Sequence, residues 1–456
     1  MIRVFHHYFS GRKLLFFLAE SIAIALSCVL GALASAMVLA PAGRSAGLLP
    51  NALPGLGAIS VAFVCVFQFA LYIVDLYDLR VAGEDRSRGV RILKAAGFAI
   101  ALMALVTLVL PFPVPGGTLM GGAVGAMAGA LVVRAGMRTV LGDPNNVLIL
   151  GRGAPARAVA QAIEDQGEDV FRVCAMVDPV DIGRPKISDS IHSLARKFGA
   201  GYVVAACEEP GGPWAEGLLR CRIAGLKVYD GAGFCERVLR RIPVSCLRAL
   251  DLALTEELHI SGTRRAVKRG FDLAMAVTLV VLAAPLVMLV ALAIKLDSPG
   301  PIFYRQERVG RNGKLYTLWK FRSMAADAEK DGAVWAKIND ERVTRVGRFI
   351  RRTRIDEIPQ VFNVLLGQMS FVGPRPERPV FVEQLKALIP FYALREMVNP
   401  GITGWAQIRY PYGASVDDAR NKLEFDLYYI KNGSLFLDLA IIFHTVRHVL
   451  RGRGAR

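Results

Sequence analysis

The chain has 456 residues, which is enough for two to four domains. Hydrophobic residues make up 53% of it and charged residues 21%, with a mean hydropathy of +0.38. An ordinary soluble domain is roughly 45–50% apolar and about 25% charged. The composition excludes a disordered, collagen-like or small disulfide-stapled protein, and a membrane protein is the first expectation.

The net charge of +17 is unevenly distributed along the chain. Residues 1–140 carry +6, residues 141–260 carry −2 and residues 261–456 carry +13. The basic last third suits anionic lipid headgroups, phosphorylated substrates or nucleic acid. The seven cysteines include no C-x-x-C pair, so we expect reduced thiols in a cytosolic compartment and no zinc site.

Four apolar runs occupy the first third, each near the roughly 20 residues that a membrane helix needs. They cover about residues 14–40, 53–73, 90–110 and 114–133. Basic residues precede the first run, separate the second from the third and follow the fourth. The positive-inside rule then places both ends of this unit in the cytoplasm. The sequence predicts a four-helix transmembrane unit over residues 1–140.

A fifth apolar run, Leu273–Ile294, contains no charged residue but has basic residues on both flanks. Length alone indicates a span, whereas the charges place both ends in the cytoplasm. Pro285 removes a helical hydrogen bond in the middle of the run and favours a bend there. We therefore expect a re-entrant helix, over about 267–296, that bends at Pro285 and returns. The alternative is an ordinary fifth span that tolerates the proline.

Residues 141–260 alternate short apolar strands with helical stretches, which predicts a Rossmann-like α/β domain. The predicted strands are 146–150, 171–177, 202–206 and 227–229. The first is followed by Gly151-Arg152-Gly153-Ala154-Pro155-Ala156, a G-x-G-x-x-A turn that could hold a pyrophosphate at a helix N-terminus. This motif is weak by itself, so a structural or regulatory domain and a nucleotide site are both kept as hypotheses.

The adjacent carboxylates Asp356 and Glu357 are the strongest candidates for chemistry in the basic third. Arginines surround them in the sequence, which suits a phosphate site with a divalent metal. One carboxylate can attack a phosphoryl group, and the other can hold Mg²⁺ together with substrate phosphates. The alternative is structural: Thr353-x-x-Asp356 resembles a helix-capping box, with Pro359 early in the helix that follows.

Eight short motifs between about residues 265 and 447 resemble the bacterial sugar transferase family, the monotopic polyprenol-phosphate phosphoglycosyl transferases. In chain order they begin with Lys268-Arg269-x-Phe271-Asp272, the 295–306 segment around Ser298-Pro299-Gly300-Pro301, Lys320-Phe321-Arg322-Ser323-Met324 and Arg354-Ile355-Asp356-Glu357-Ile358-Pro359-Gln360. Asn363-Val364-Leu365, the 369–376 segment around Gly373-Pro374-Arg375-Pro376, Pro400-Gly401-Ile402-Thr403-Gly404-Trp405-Ala406-Gln407 and Phe425-Asp426-Leu427-Tyr428-Tyr429-Ile430 follow. The four apolar runs and the Rossmann-like domain also resemble the large members of that family. The chain is most similar to exopolysaccharide-initiating members that make undecaprenyl-diphospho-glucose.

The resemblance implies a role for each matching residue. Asp356 matches the family's nucleophilic aspartate, and Glu357 matches its Mg²⁺-binding glutamate. Arg351 and Arg375 match arginines near the substrate phosphates, and Pro285 matches the proline that breaks the re-entrant helix. Two further candidates for phosphate contacts are Lys320 and Arg322, for which a solvated surface charge is the alternative.

The implied protein is an enzyme of the bacterial inner membrane whose third domain, 261–456, is an α/β catalytic unit facing the cytoplasm. It would transfer a sugar 1-phosphate from a UDP-sugar, first UDP-glucose, to undecaprenyl phosphate and release UMP. UDP-galactose or an N-acetylated UDP-sugar is the alternative donor, and a non-catalytic membrane scaffold is the alternative class. Membrane lipid is a further partner, a homodimer stays open, and nucleic acid is disfavoured because the charge lies beside apolar segments.

Overall fold

The computed structural model describes most of the middle and last thirds of the chain and parts of the first. The described residues are 2–4, 7–9, 17–27, 29–30, 61–71, 95, 97–103, 123–133, 145–165, 171–178, 187–206, 214–247, 249–250, 258, 261–325, 342–410, 413 and 415–450. Strands β1 (Ile2–Val4) and β2 (His7–Phe9) pair as an antiparallel hairpin at the start.

Each of the four predicted membrane runs contributes a helical segment. These are α1 (Phe17–Ser27), α2 (Val61–Leu71), residues 97–103 and α3 (Ala123–Val133). Ile24, Phe63, Met103 and Ala126, one from each segment, are buried in a single apolar cluster. The four segments therefore pack together, while the rest of each predicted run lies outside the described residues.

The middle third forms a four-stranded parallel sheet in the order β4-β3-β5-β6. Its strands are β3 (Asn145–Leu150), β4 (Phe171–Val177), β5 (Tyr202–Ala205) and β6 (Lys227–Asp230). Helices α4 (Ala154–Glu164), α5 (Ile187–Lys197), α6 (Ala215–Ile223) and α7 (Gly231–Phe234) connect or follow the strands. Apolar clusters cover both faces of the sheet, so the predicted α/β domain is confirmed.

The glycine-rich turn follows β3, as its motif predicts. Gly151 has a φ of +123°, and a Cβ there would collide with the carbonyl oxygen of Ala206, so only glycine fits. Helix α4 begins after Gly153 without a side-chain cap. This geometry suits a structural turn and a nucleotide site equally, and both hypotheses stand.

The last third begins with helix α8 (Gly262–Asp297), a single 36-residue helix that contains Pro285. Among the described residues, this helix combines the length and apolar character that a membrane crossing requires. The remaining elements, in chain order, are β7 (Phe303–Val309), β8 (Leu315–Phe321), α9 (Arg345–Arg352), α10 (Gln360–Leu365), β9 (Ser370–Val372), α11 (Pro379–Leu388), β10 (Gly401–Thr403), α12 (Trp405–Arg409), α13 (Val416–Asn432) and α14 (Leu435–Leu450).

Two short sheets position the loops of this unit. Strands β7 and β8 form an antiparallel hairpin, and β9 and β10 pair in parallel. Tyr304 of β7 stands opposite Lys320 of β8, near the open end of the hairpin. The main apolar core lies between α8, α10, α13 and α14 and the two sheets.

The middle and last thirds share buried contacts, although the sequence places a domain boundary at residue 260. Ile242 and Val244 are buried in the same core as the elements of the last third. Arg241, only 4% exposed, forms an ion pair with the buried Glu424 of α13 at 2.6 Å and another with Asp165 at 2.7 Å. The core of the last third therefore includes residues that precede position 261.

We expect removal of one partner of the buried ion pair to destabilise the protein much more than removal of both partners. Arg241→Gln should lower the free energy of unfolding by about 3–5 kcal/mol, because it leaves the Glu424 carboxylate buried without its counter-charge. Arg241→Gln/Glu424→Gln should recover most of this loss, since glutamine can still accept the hydrogen bond from the Val244 amide. Thermal unfolding of the full chain in detergent measures both changes.

The matched control is the exposed pair of Arg220 and Glu216, spaced i, i+4 on α6. Arg220→Gln should change the stability by less than about 0.5 kcal/mol, as is usual for solvent-exposed pairs. Equal losses from Arg241→Gln and Arg220→Gln would contradict the assignment of the buried pair as the link between the two thirds.

Candidate active site

The two candidate carboxylates lie on a single turn of 3₁₀ helix, Ile355–Glu357, between α9 and α10. Arg354, which precedes this turn, adopts a left-handed conformation with φ +60° and ψ +14°. Such a conformation costs of order 1–3 kcal/mol in a residue other than glycine, and it commonly ends a helix, here α9. Asp356 and Glu357 are 8% and 7% exposed, so the turn presents both carboxylates to a buried site.

Three cations from three different segments converge on one oxygen of Glu357. Oε1 lies 2.8 Å from the Arg375 guanidinium, 3.3 Å from Lys320 Nζ and 3.6 Å from the Arg354 guanidinium. Lys320 comes from β8, and Arg375 comes from the segment that follows β9. We call this group of Glu357, Lys320, Arg354 and Arg375 the cation cage. It brings together residues that are up to 55 positions apart in the chain.

The pKa values of the two adjacent carboxylates are shifted in opposite directions. Burial alone would raise the pKa of Glu357, but Arg375, Lys320 and Arg354 outweigh it and hold that pKa well below its usual range. Burial raises the pKa of Asp356, and the neighbouring negative charge of Glu357 raises it further, against the opposing effect of the nearby cations. Glu357 is thus the permanently ionised partner, and Asp356 is the more basic carboxylate.

Asp356 also carries an oxygen that the fold leaves without a partner. Its Oδ1 is buried and accepts no hydrogen bond. A buried carboxylate oxygen without a donor is costly, so such atoms mark strain, catalysis or a ligand site. The atom is therefore available to a phosphorus centre or to a metal ion.

The capping interpretation of Thr353-x-x-Asp356 is wrong. Thr353 closes helix α9, and its hydroxyl donates backwards to the carbonyls of Phe349 and Ile350 at 2.9 and 3.3 Å. The residue at the N-cap of the carboxylate turn is Arg354, whose side chain makes no capping bond, and Pro359 lies at the N-cap of α10 rather than inside a helix. The Asp356 side chain thus has no capping role.

Some of the other predicted site residues lie near the two carboxylates in the structure, and one does not. Arg375 and Lys320 belong to the cation cage, and Arg351 lies close enough to Asp356 to lower its pKa. Arg322 does not reach the cage. Its guanidinium donates to the carbonyls of Ser298 and Pro299, both at 2.7 Å, and so ties the end of α8 to β8. Its predicted role as a phosphate contact is replaced by a structural one, because β8 ends at Phe321 and the next residue turns toward α8.

Arg395 and Asp426, to which the sequence analysis assigned no role, support the backbone of the cation cage. The Arg395 guanidinium donates to the backbone carbonyl of Arg375 at 2.9 Å and to the carboxylate of Asp426 at 2.8 Å. Asp426 is 1% exposed, and burial raises its pKa while Arg395 opposes this. The pair fixes the backbone from which Arg375 reaches Glu357. Asp426 belongs to the last of the eight motifs, and this position in a motif was the sequence signal that could have identified it.

The carboxylate pair fits a Mg²⁺ ion that is shared with a substrate. Within the described ranges, no group of three or more His, Cys, Asp or Glu side chains is arranged around a common point. Mg²⁺ does not need one, since it keeps several waters and uses one or two carboxylates together with substrate phosphates. The ionised Glu357 is a carboxylate of this kind and would hold such an ion together with the substrate phosphates.

A compact α/β unit with a buried carboxylate pair in a basic environment defines a candidate phosphoryl-transfer enzyme, and comparison with known proteins narrows the class. The model of the bacterial sugar transferase family matches residues 263–452. An exopolysaccharide production protein of Rhizobium leguminosarum bv. phaseoli is 42% identical over 197 residues, which are 41% of this chain and 97% of that protein. This chain therefore belongs to the bacterial sugar transferase family.

Two longer relatives carry more specific names. A UDP-N-acetylgalactosamine-undecaprenyl-phosphate N-acetylgalactosaminephosphotransferase of Aeromonas hydrophila is 46% identical over 245 residues, covering 54% of this chain and 57% of that protein. An undecaprenyl-phosphate glucose phosphotransferase of Komagataeibacter xylinus is 36% identical over 317 residues, covering 68% of this chain and 60% of that protein. The chain thus matches little more than half the length of these two curated relatives.

Replacing the two neighbouring carboxylates one at a time should affect the stability of the protein differently. Asp356→Asn should leave the melting temperature unchanged or raise it, because it removes a buried charge beside Glu357. Glu357→Gln should cost about 1–3 kcal/mol, because three partly buried cations lose their common partner. Differential scanning fluorimetry without substrate measures both changes. The matched control is Asp417→Asn, whose carboxylate is 85% exposed beside Arg420 and should change little. A loss of stability in Asp356→Asn equal to that in Glu357→Gln would contradict this assignment.

Proposed function

We propose that this chain transfers a sugar 1-phosphate from a UDP-sugar to undecaprenyl phosphate and releases UMP. The observation that carries the proposal is the cation cage, which holds Glu357 ionised beside a more basic Asp356 with an unpartnered oxygen. Family membership and the names of the relatives support the same reaction class. Initiation of an exopolysaccharide or capsule is the corresponding cellular role.

The proposed reaction has two displacements at phosphorus. In the first, a carboxylate oxygen of Asp356 attacks the β-phosphorus of the UDP-sugar, the bond from that phosphorus to the bridging oxygen breaks, and UMP leaves with the oxygen. In the second, a phosphate oxygen of undecaprenyl phosphate attacks the phosphorus of the phospho-sugar adduct. The acyl-phosphate bond breaks and returns Asp356 as a carboxylate.

The residues around Asp356 supply charge and orientation. Arg375, Lys320 and Arg351 bring positive charge to the place where the phosphate oxygens would lie, and phosphoryl transfer depends mainly on such positioning. Glu357 would hold Mg²⁺, which would neutralise part of the diphosphate charge.

UDP-glucose is the first candidate donor, and an N-acetylated UDP-sugar is the alternative. The names of the two longer relatives include glucose in one case and N-acetylgalactosamine in the other. A panel of UDP-sugars, assayed with purified protein and radiolabelled undecaprenyl phosphate, identifies the donor by the lipid-linked product.

Helix α8 is proposed to enter the cytoplasmic side of the bacterial inner membrane and return. A straight helix would separate Arg269 from Ile294 by about 37 Å. Yet Arg269 donates to the last carbonyls of α10, whose Asn363 is hydrogen-bonded to β8, and Ile294 is buried against Phe321 at the end of that strand. Because both arms of α8 attach to one small unit, their contacts support a bend at Pro285.

The bend has a testable topological consequence. Gly262→Cys and Lys314→Cys, each in a cysteine-free background, should both resist a membrane-impermeant thiol reagent in intact cells and react after lysis. Both positions are exposed on the protein surface, so lysis serves as the control for reactivity. Labelling of Lys314→Cys alone in intact cells would show an ordinary span and would place the cation cage outside the cytoplasm.

The covalent adduct gives the sharpest test of the reaction. Incubation with a UDP-sugar and Mg²⁺, without lipid phosphate, should add the mass of a phospho-sugar to the peptide that contains Asp356. Undecaprenyl phosphate should then remove the adduct, because its phosphate is the second nucleophile. Asp356→Asn should abolish both the adduct and turnover, since an amide is a poor nucleophile of nearly the same size.

Two variants serve as matched controls for the adduct. Glu357→Gln should keep the site of attack but slow both half-reactions and weaken the dependence on Mg²⁺. Thr353→Ala should retain turnover, because the Thr353 hydroxyl faces α9 rather than the carboxylate turn. Near-native turnover by Asp356→Asn would favour the scaffold alternative and reject the proposed nucleophile.

A further inference from the structure

A basic cavity lies at the start of helix α8, away from the cation cage. It has a volume of about 620 Å³ and lies between the first turns of α8, the loop around Asn399 and the turn that joins α13 to α14. Its cationic lining residues are Arg264, Arg265, Lys268, Arg269 and Arg311. Arg311 follows β7 at the closed end of the hairpin, and about 17 Å of strand β8 separates that end from Lys320.

Two of these cations are already committed to the protein. Lys268 pairs with the buried Asp438 at 2.7 Å, and Arg269 donates to the carbonyls at the end of α10. The lining carboxylates are satisfied too: Asp438 also accepts from the Tyr429 hydroxyl, and Asp272 accepts from Ser370 and from the Phe371 amide. The lining therefore carries five cations against two carboxylates, so positive charge exceeds negative charge in the cavity.

Three further arginines, Arg264, Arg265 and Arg311, line the cavity. Among the residues that the structure describes, Arg264, Arg265 and Arg311 form no ion pair. Arg311 has a buried Nε without a hydrogen-bond partner. Burial lowers the pKa of Arg311, and the nearby charge of Arg265 lowers it further. A cavity with an excess of positive charge attracts an anion, and a phosphate group accepts the paired donors of arginine.

The surroundings of the cavity are apolar on one side. Val267 lines the cavity and is 51% exposed. Val277 and Val281 continue an exposed apolar surface along the same helix. A molecule with a phosphate in the cavity could therefore lay a hydrocarbon chain along α8. A free inorganic anion would make no use of that surface.

We propose that this cavity binds the phosphate group of a membrane lipid at a site distinct from the Asp356 centre. The lipid is either an anionic phospholipid or undecaprenyl phosphate held apart from the reacting position, and the shared chemistry is a phosphate on a hydrocarbon tail. The inference does not depend on the proposed transfer reaction, because its readout is binding.

Native mass spectrometry of the full chain in detergent tests the site with phosphatidylglycerol, phosphatidylcholine and undecaprenyl phosphate added separately. The wild-type protein should bind phosphatidylglycerol or undecaprenyl phosphate at least tenfold more tightly than Arg265→Gln/Arg311→Gln does. Phosphatidylcholine should bind equally weakly to both proteins. The lipid whose binding falls identifies the source of the phosphate.

The double variant Arg220→Gln/Arg420→Gln is the matched control, since it removes two exposed arginines elsewhere. It should bind lipid as the wild type does. Arg265→Lys/Arg311→Lys keeps the charge and should bind more weakly than the wild type but more tightly than the Gln variant. If the Gln variant unfolds at a lower temperature, the partial loss in the Lys variant tests the site. Wild-type binding of both anionic lipids by the Gln and control variants alike, or no selective binding by the wild type, would overturn the proposal.

Discussion

The convergence of three cations on one buried glutamate is the interaction on which the last third of the molecule depends. Glu357 joins β8 through Lys320, the segment after β9 through Arg375, and the left-handed residue Arg354 on its own turn. Without this common carboxylate, three positive charges would repel one another in a site of low dielectric. Burial raises the pKa of Asp356, and the fixed negative charge of Glu357 beside it raises that pKa further. One electrostatic arrangement thus organises the loops and differentiates the two carboxylates.

The regular elements were predictable because local rules govern them. The strand at 171–177 was predicted with its observed limits, since its apolar residues stand between polar segments. The fifth apolar run is a helix in the structure, as its composition requires. The adjacency of Asp356 and Glu357 was also visible, and so was the need for nearby arginines. These features depend on residues that are close in sequence.

The partners of individual arginines were not predictable, because tertiary packing selects them. Lys320 and Arg322 are two residues apart, which places them on one face of a strand that continues through both. The strand ends between them, so Lys320 joins Glu357 while Arg322 turns to the end of α8. Arg354 was noted only as one of several surrounding charges. Its importance follows from a left-handed backbone conformation that no composition or spacing rule predicts for arginine.

The buried contacts of Arg241 give the middle third a physical connection to the site. Arg241 pairs with Glu424, and two residues later in α13 Asp426 pairs with Arg395, which holds the backbone of Arg375. Successive charged residues of one helix therefore face the Rossmann-like unit and the cation cage. Helix α13 thus provides a continuous series of buried contacts between the Rossmann-like unit and the backbone of Arg375.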